Sequence, residues 1–117
     1  MSKSDEIEFI QHIYKEIQFI IESKSKLSEA DFYENEVYQR AITRAFEIIG
    51  EATKNLSSDF RVKYNNVPWS YMAKLRDKII HHYFGVDFET IWNIMDQEIP
   101  ELSNQIELIL KEHNKID

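Results

Sequence analysis

The sequence predicts an all-α protein, an antiparallel bundle of four to five helices, on three observations. Apolar residues recur at three- and four-residue intervals along most of the chain. Two Gly and two Pro among 117 residues leave almost nothing for the tight turns of a sandwich or barrel. At 43% hydrophobic and 30% charged, the composition fits one domain, expected to span residues 1–117, with enough apolar surface for a single core.

Each element has its own signal. From about Asp5 to Lys24, the residues Ile7, Ile10, Ile13, Tyr14, Ile17, Ile20 and Ile21 make one stripe, with Ser4 available as an N-cap. The polar stretch SKSKLSEADF ends that pattern, and Ser28 can cap a short turn of helix at EADFYE. The period resumes from about Asn35 to Leu56 through Val37, Ala41, Ile42, Ala45, Ile48, Ile49, Ala52 and Leu56, with Gly50 on the far side of the wheel. LSSDFRVKYNN reads as a short helix or turn capped by Ser57 or Ser58, and the residue before Pro68 is pushed out of the α region. A helix from about Trp69 to His82 follows, with Gly85 suited to end it. Asp87 caps the next segment, FETIWNIMDQEI. Pro100 either sits in the first turn of a fifth helix, PELSNQIELILKEH, or kinks one continuous helix, and the terminal NKID is expected to fray.

Composition also removes function classes. Without Cys there is no disulfide framework, thiolate nucleophile or Cys-containing zinc site. The N-terminal MSKSDEIEF carries charge where a signal peptide needs an apolar stretch, and no run approaches the ~18 apolar residues of a membrane span, so a cytoplasmic protein is expected. The net charge of −7 and pI near 5.1 disfavour binding nucleic acid by bulk electrostatics. Any RNA contact must be local, inside a small basic cleft or one doubled by a second subunit.

One residue does not fit the bundle pattern. On a regular helix Arg76 falls near the centre of the apolar arc formed by Leu75, Ile79, Met72, Ile80, Ala73 and Trp69, which places a cation on the core face. A buried guanidinium must be paired or face a water-filled cleft. Glu51 and Asp96 are the carboxylates expected to pair with it if its role is structural. Tyr83 returns to nearly the same direction as Arg76, while His81 lies about 140° round, so the three converge only if the helix ends early or two subunits share a cleft. His81 or His82 could equally be a C-terminal histidine favourable to the helix dipole. No metal is expected: adjacent His81 and His82 diverge on a helix, and His12 and His113 supply no ligand spacing.

The string RDKIIHHY, Arg76 to Tyr83, has the form R-x4-H-x-Y and resembles the motif of HEPN-domain proteins. Together with RAITRAFEIIGEATKNLSSDFR from Arg40 to Arg61 and VPWSYMAKLRDKIIHHYFGVDFETIW from Val67 to Trp92, it is similar to the HepT-type toxins that pair with an MNT nucleotidyltransferase antitoxin. The resemblance implies a HEPN-like helical fold and a metal-independent endoribonuclease needing no cofactor, in which a ribose 2′-hydroxyl attacks the adjacent phosphodiester. Arg76, His81 and Tyr83 are then the catalytic residues. The residue types suit those roles: an unperturbed histidine, as His81 would supply, changes charge near neutrality, Arg76 offers a planar donor fork to phosphate, and a tyrosine such as Tyr83, ordinarily ionising near pH 10, is better suited to hydrogen-bond than to act as base. Asp77, His82 and Glu51 are auxiliary candidates, Asp77 more simply a solvated residue. The resemblance also implies that the antitoxin transfers AMP to Tyr83, and a homodimer is expected because a two-fold axis near the motif would double its cations. The alternative is a non-catalytic helical module that binds a nucleotidyltransferase partner.

Overall fold

A computed structural model of the protein describes residues 3–80 and 85–117. Its helices are α1 (Lys3–Ser25), α2 (Glu29–Glu34), α3 (Glu36–Lys54), α4 (Ser58–Lys63), α5 (Trp69–Ala73), α6 (Leu75–Ile79), α7 (Phe88–Gln97) and α8 (Ile99–Glu112). The described residues form no β-strand; one isolated antiparallel bridge joins Ile80 to Val86. None of these helices is long and apolar enough to cross a membrane.

The isoleucine stripe of α1 is the spine of the core. Ile10, Ile13, Ile17 and Ile20 are wholly inaccessible, and α1 lies between α3 on one side and α8 on the other. α3 answers with Ile42, Phe46 and Ile49, all fully buried, each contributing roughly 1.5–3 kcal/mol by leaving water. The short pair α5 and α6 packs across α3, and α7 folds back on α8.

Local chemistry sets most boundaries. Ser28 caps α2 through a capping box with Asp31, Asn35 accepts from the Tyr38 N–H at the start of α3, and Ser57 rather than Ser58 caps α4. Asp87 caps α7 through the Thr90 N–H at 3.0 Å. α1 begins before Ser4, so that serine is not its cap. Pro100 stands in the first turn of a separate α8, because Glu98 (φ −117°, ψ −37°) breaks the chain direction after α7. The C-terminus does not fray as expected: Asn114 takes a left-handed conformation (φ 58°), and the Lys115 N–H returns to the Leu110 carbonyl at 2.9 Å, a Schellman-type stop. Gly50 is buried, against the expectation of an outward position, because α3 is covered on its flank by α5 as well as on its face by α1.

Candidate active site

The expected helix from Trp69 to His82 is two shorter ones. Lys74 leaves helical geometry (φ −103°, ψ 11°) and separates α5 from α6, and Ile80 is already extended (φ −107°, ψ 120°). Leu75 and Ile79 are fully buried and fix α6 to the core, while Met72 and Trp69 do the same for α5. With the buried side set by those four residues, Arg76 is displaced from the core face to the rim. Its side chain is 55% exposed, which corrects the expectation of a buried cation.

Arg76 is nevertheless held. Its Nε–H donates to Glu47 Oε2 across 3.4 Å, and Glu47, on α3, is only 25% exposed. Neither carboxylate expected from the sequence takes this place. Glu51 accepts from Arg44 Nη1 at 3.3 Å, and Asp96 is bound to Lys24 at 3.0 Å, whose ammonium also lies 5.0 Å over the Trp92 ring. The hydrogen bond from Lys24, followed by that from Gln97, holds the Asp96 carboxyl below its ordinary value. An exposed pair such as Arg76 with Glu47 adds little stability; what it fixes is direction. Among the described residues the guanidinium is engaged only through Nε, not through its two terminal nitrogens. Glu47 lies three residues after Arg44 and four before Glu51 on one face of α3, so the sequence did mark the face. Which of its carboxylates meets Arg76 depends on how α6 crosses α3, and no spacing encodes that. Asp77 is exposed, as a solvated residue would be.

His81, His82 and Tyr83 lie outside the described residues; the chain on either side of them does not. Ile80 is bridged to Val86, and the Asp87 N–H donates to the Ile79 carbonyl at 2.7 Å. Gly85, at φ +100°, occupies a conformation that side chains rarely adopt. It does not cap the helix, which has ended at Ile79; it leads the chain into the bridge. Arg76 thus stands one turn before the bridge from Ile80 to Val86. Among the described residues no three of His, Cys, Asp or Glu gather as a metal site.

The exposed face of α3 continues the site electrostatically. Arg40 donates through Nε and Nη2 to Glu36 Oε1 at 3.1 and 2.6 Å. Arg40, Arg44, Glu47 and Glu51 fall within an arc of about 60° on the helix, bordered by Val37, which is 77% exposed.

The chain has relatives among known proteins. The chain is 47% identical over 103 residues to a candidate RNase of Caldanaerobacter subterraneus subsp. tengcongensis, covering 88% of this chain and 92% of the relative. A candidate RNase of Methanocaldococcus jannaschii is 42% identical over 112 residues, 96% of this chain and 93% of its own. A protein of Thermococcus cleftensis named as a probable ribonuclease HepT is 38% identical over 104 residues, 89% and 94% of the two chains. No solved structure matches. The family model described as ribonuclease HepT-like matches residues 9–109, which take in α3 with Glu47 and the full run from Arg76 to Tyr83. By that match and those identities, the chain belongs to the HepT-like ribonuclease family.

Proposed function

We propose that the protein is a metal-independent endoribonuclease acting in the cytoplasm as the toxin of a toxin-antitoxin pair, with Arg76, His81 and Tyr83 as its working residues. The observation that carries this reading is Arg76: solvent-facing, held through Nε by Glu47, and one turn ahead of the Ile80–Val86 bridge. Membership of a ribonuclease family and relatives named as RNases support the reaction class.

In this reading His81 takes the proton from a ribose 2′-hydroxyl, whose oxygen attacks phosphorus. The bond from phosphorus to the 5′-oxygen of the next nucleotide breaks, that oxygen is protonated, and a 2′,3′-cyclic phosphate remains. The terminal nitrogens of Arg76 stabilise the charge that builds on the phosphoryl oxygens. Tyr83 hydrogen-bonds the phosphate and is the residue an antitoxin nucleotidyltransferase modifies with AMP, placing a competing anion against Arg76.

The charge order along α3 supports a homodimer. Arg40 and Arg44 occupy the N-terminal part of its exposed arc and Glu47 and Glu51 the C-terminal part, so a two-fold axis crossing the helix sets each Arg opposite a Glu of the other copy. The Arg76 of each copy, beside its own Glu47, then borders one shared groove.

The deciding experiment is cleavage of RNA by purified protein in EDTA. Arg76→Ala and His81→Ala are each expected to lose on the order of 100-fold or more, the scale of removing a general base or a transition-state donor. Wild-type rates in either variant would take that residue out of the site, and no cleavage by the wild-type would favour the non-catalytic interaction module. Intact-mass spectrometry after incubation with the nucleotidyltransferase and ATP tests the second role. AMP-sized increments should map to Tyr83 and vanish in Tyr83→Phe; an increment on Tyr71 would sink the assignment.

A further inference from the structure

A cleft of about 580 Å³ opens between the end of α2, the first two turns of α3 and the start of α7, with Tyr33, Glu34, Glu36, Thr43, Val86 and Phe88 among its walls. Val86 is the residue bridged to Ile80, so the cleft begins at that bridge. Thr43 precedes Glu47 by one turn of α3, which sets the cleft and the Arg76 ion pair along the same edge of that helix.

Three features specify a ligand. The volume lies within the roughly 300–1,000 Å³ of small-molecule sites and admits a nucleoside. Tyr33, 40% exposed, offers a flat ring held in place: Phe32 backs it at 6.1 Å between centroids and meets Phe88 edge-on at 5.9 Å, and the phenol donates to Glu29 at 2.6 Å. The polar lining is rich in acceptors. Glu34 and Glu36 only accept, Arg40 on the same wall spends Nε and Nη2 on one oxygen of Glu36, and both amide hydrogens of Gln39 are already given to the carbonyls of Phe32 and Tyr33 at 3.0 Å. Thr43 Oγ1, on a residue of the cleft wall, is buried without a hydrogen-bond partner among the described residues. With Arg40 turned onto Glu36, the acceptors left over beside an aromatic face favour a ring that carries an amine above a bare phosphate.

We propose that this cleft is the subsite for one unpaired nucleobase bearing an exocyclic amine, adenine, cytosine or guanine in preference to uracil, next to the phosphate that Arg76 contacts. The base stacks on Tyr33 and donates its amine to the Glu34 or Glu36 carboxylate. The proposal rests on the ribonuclease reading only in that the base belongs to the strand being cut; binding itself is testable without cleavage.

The test is an NMR titration with AMP, CMP, GMP, UMP and inorganic phosphate. The three amine-bearing nucleotides should shift the resonances of Tyr33, Thr43 and Val86, with UMP weaker by about tenfold and phosphate without effect there. Tyr33→Ala, at an exposed position, should weaken AMP by about tenfold, and Tyr33→Phe, which keeps the ring, should restore it. Glu34→Gln with Glu36→Gln should erase the difference between CMP and UMP. Equal shifts from UMP, or none from any nucleotide up to roughly 10 mM, would overturn the subsite. Cleavage of ribo-oligonucleotides separates the two readings. Binding without cleavage removes the ribonuclease and leaves the subsite, whereas cleavage with unchanged KM and base preference in Tyr33→Ala removes the subsite and leaves the ribonuclease.

Discussion

A Cβ placed on Gly50 would lie 3.5 Å from the carbonyl oxygens of both Met72 and Ala73. That is ordinary contact for one methyl group and too little room for anything longer. Gly50→Ala is therefore expected to raise stability by about 0.5–1 kcal/mol, the gain of removing a glycine from a helix interior, or roughly 4 °C in Tm. Gly50→Leu should cost about 1–3 kcal/mol by pushing α5 off α3. Thermal melts distinguish the two, and an alanine variant that melts below wild-type would mean that the backbones cannot give at all. The periodicity that revealed α3 could not reveal this contact, because a helical wheel shows one core direction and α3 is covered from two. The surroundings of Arg76 escape the sequence for a related reason. Its core-facing arc holds only on an unbroken helix, and the break at Lys74 has neither Pro nor Gly to announce it. That a cation interrupts the apolar pattern here is legible; where its side chain lies is not.

Between elements, Tyr71 of α5 donates a short hydrogen bond to Glu98, the residue that separates α7 from α8. Burial first, then the bond to Glu98 and its charge, push the phenol well above the ordinary tyrosine value. A group whose pKa is higher folded than unfolded lends stability that is complete below the unfolded value near 10 and is lost as pH rises towards the folded one. Melting temperature should therefore fall more steeply above about pH 10 in wild-type than in Tyr71→Phe. Tyr33, pushed up to about 12 chiefly by its hydrogen bond to Glu29, and Tyr64, raised by burial, bend both curves alike, so the comparison isolates Tyr71. Identical alkaline slopes would show that the clamp opens before it ionises. Caps were the most legible part of this scale. Ser28 and Asp87 act where their side chains predict, since a cap is a bond between near neighbours in sequence. The clamp between Tyr71 and Glu98 spans 27 residues and has no such signature.

At the scale of the whole molecule, the α3 pairing makes a prediction that charge alone can test. Arg40→Glu or Glu51→Arg should each weaken the dimer by about tenfold, because a two-fold axis repeats every lost pair. The double exchange restores opposite charges across the seam and should recover most of the affinity. Sedimentation equilibrium reads both, and a monomeric wild-type at micromolar concentration would dismiss the arrangement. The all-α architecture was legible throughout, from isoleucine spacing and from scarce Gly and Pro. The bridge between Ile80 and Val86 was not, since a single pairing leaves no periodic trace.

The bridge lies a fixed step beyond the guanidinium. Arg76 rides on a helix nailed to the core by Leu75 and Ile79, so its bearing on Glu47 is set by the register of α6. One residue inserted between Leu75 and Arg76 would swing the guanidinium about 100° around the helix and off Glu47. The core thus enforces the register of this stretch of the motif directly, through the two side chains that it swallows on either side of the arginine.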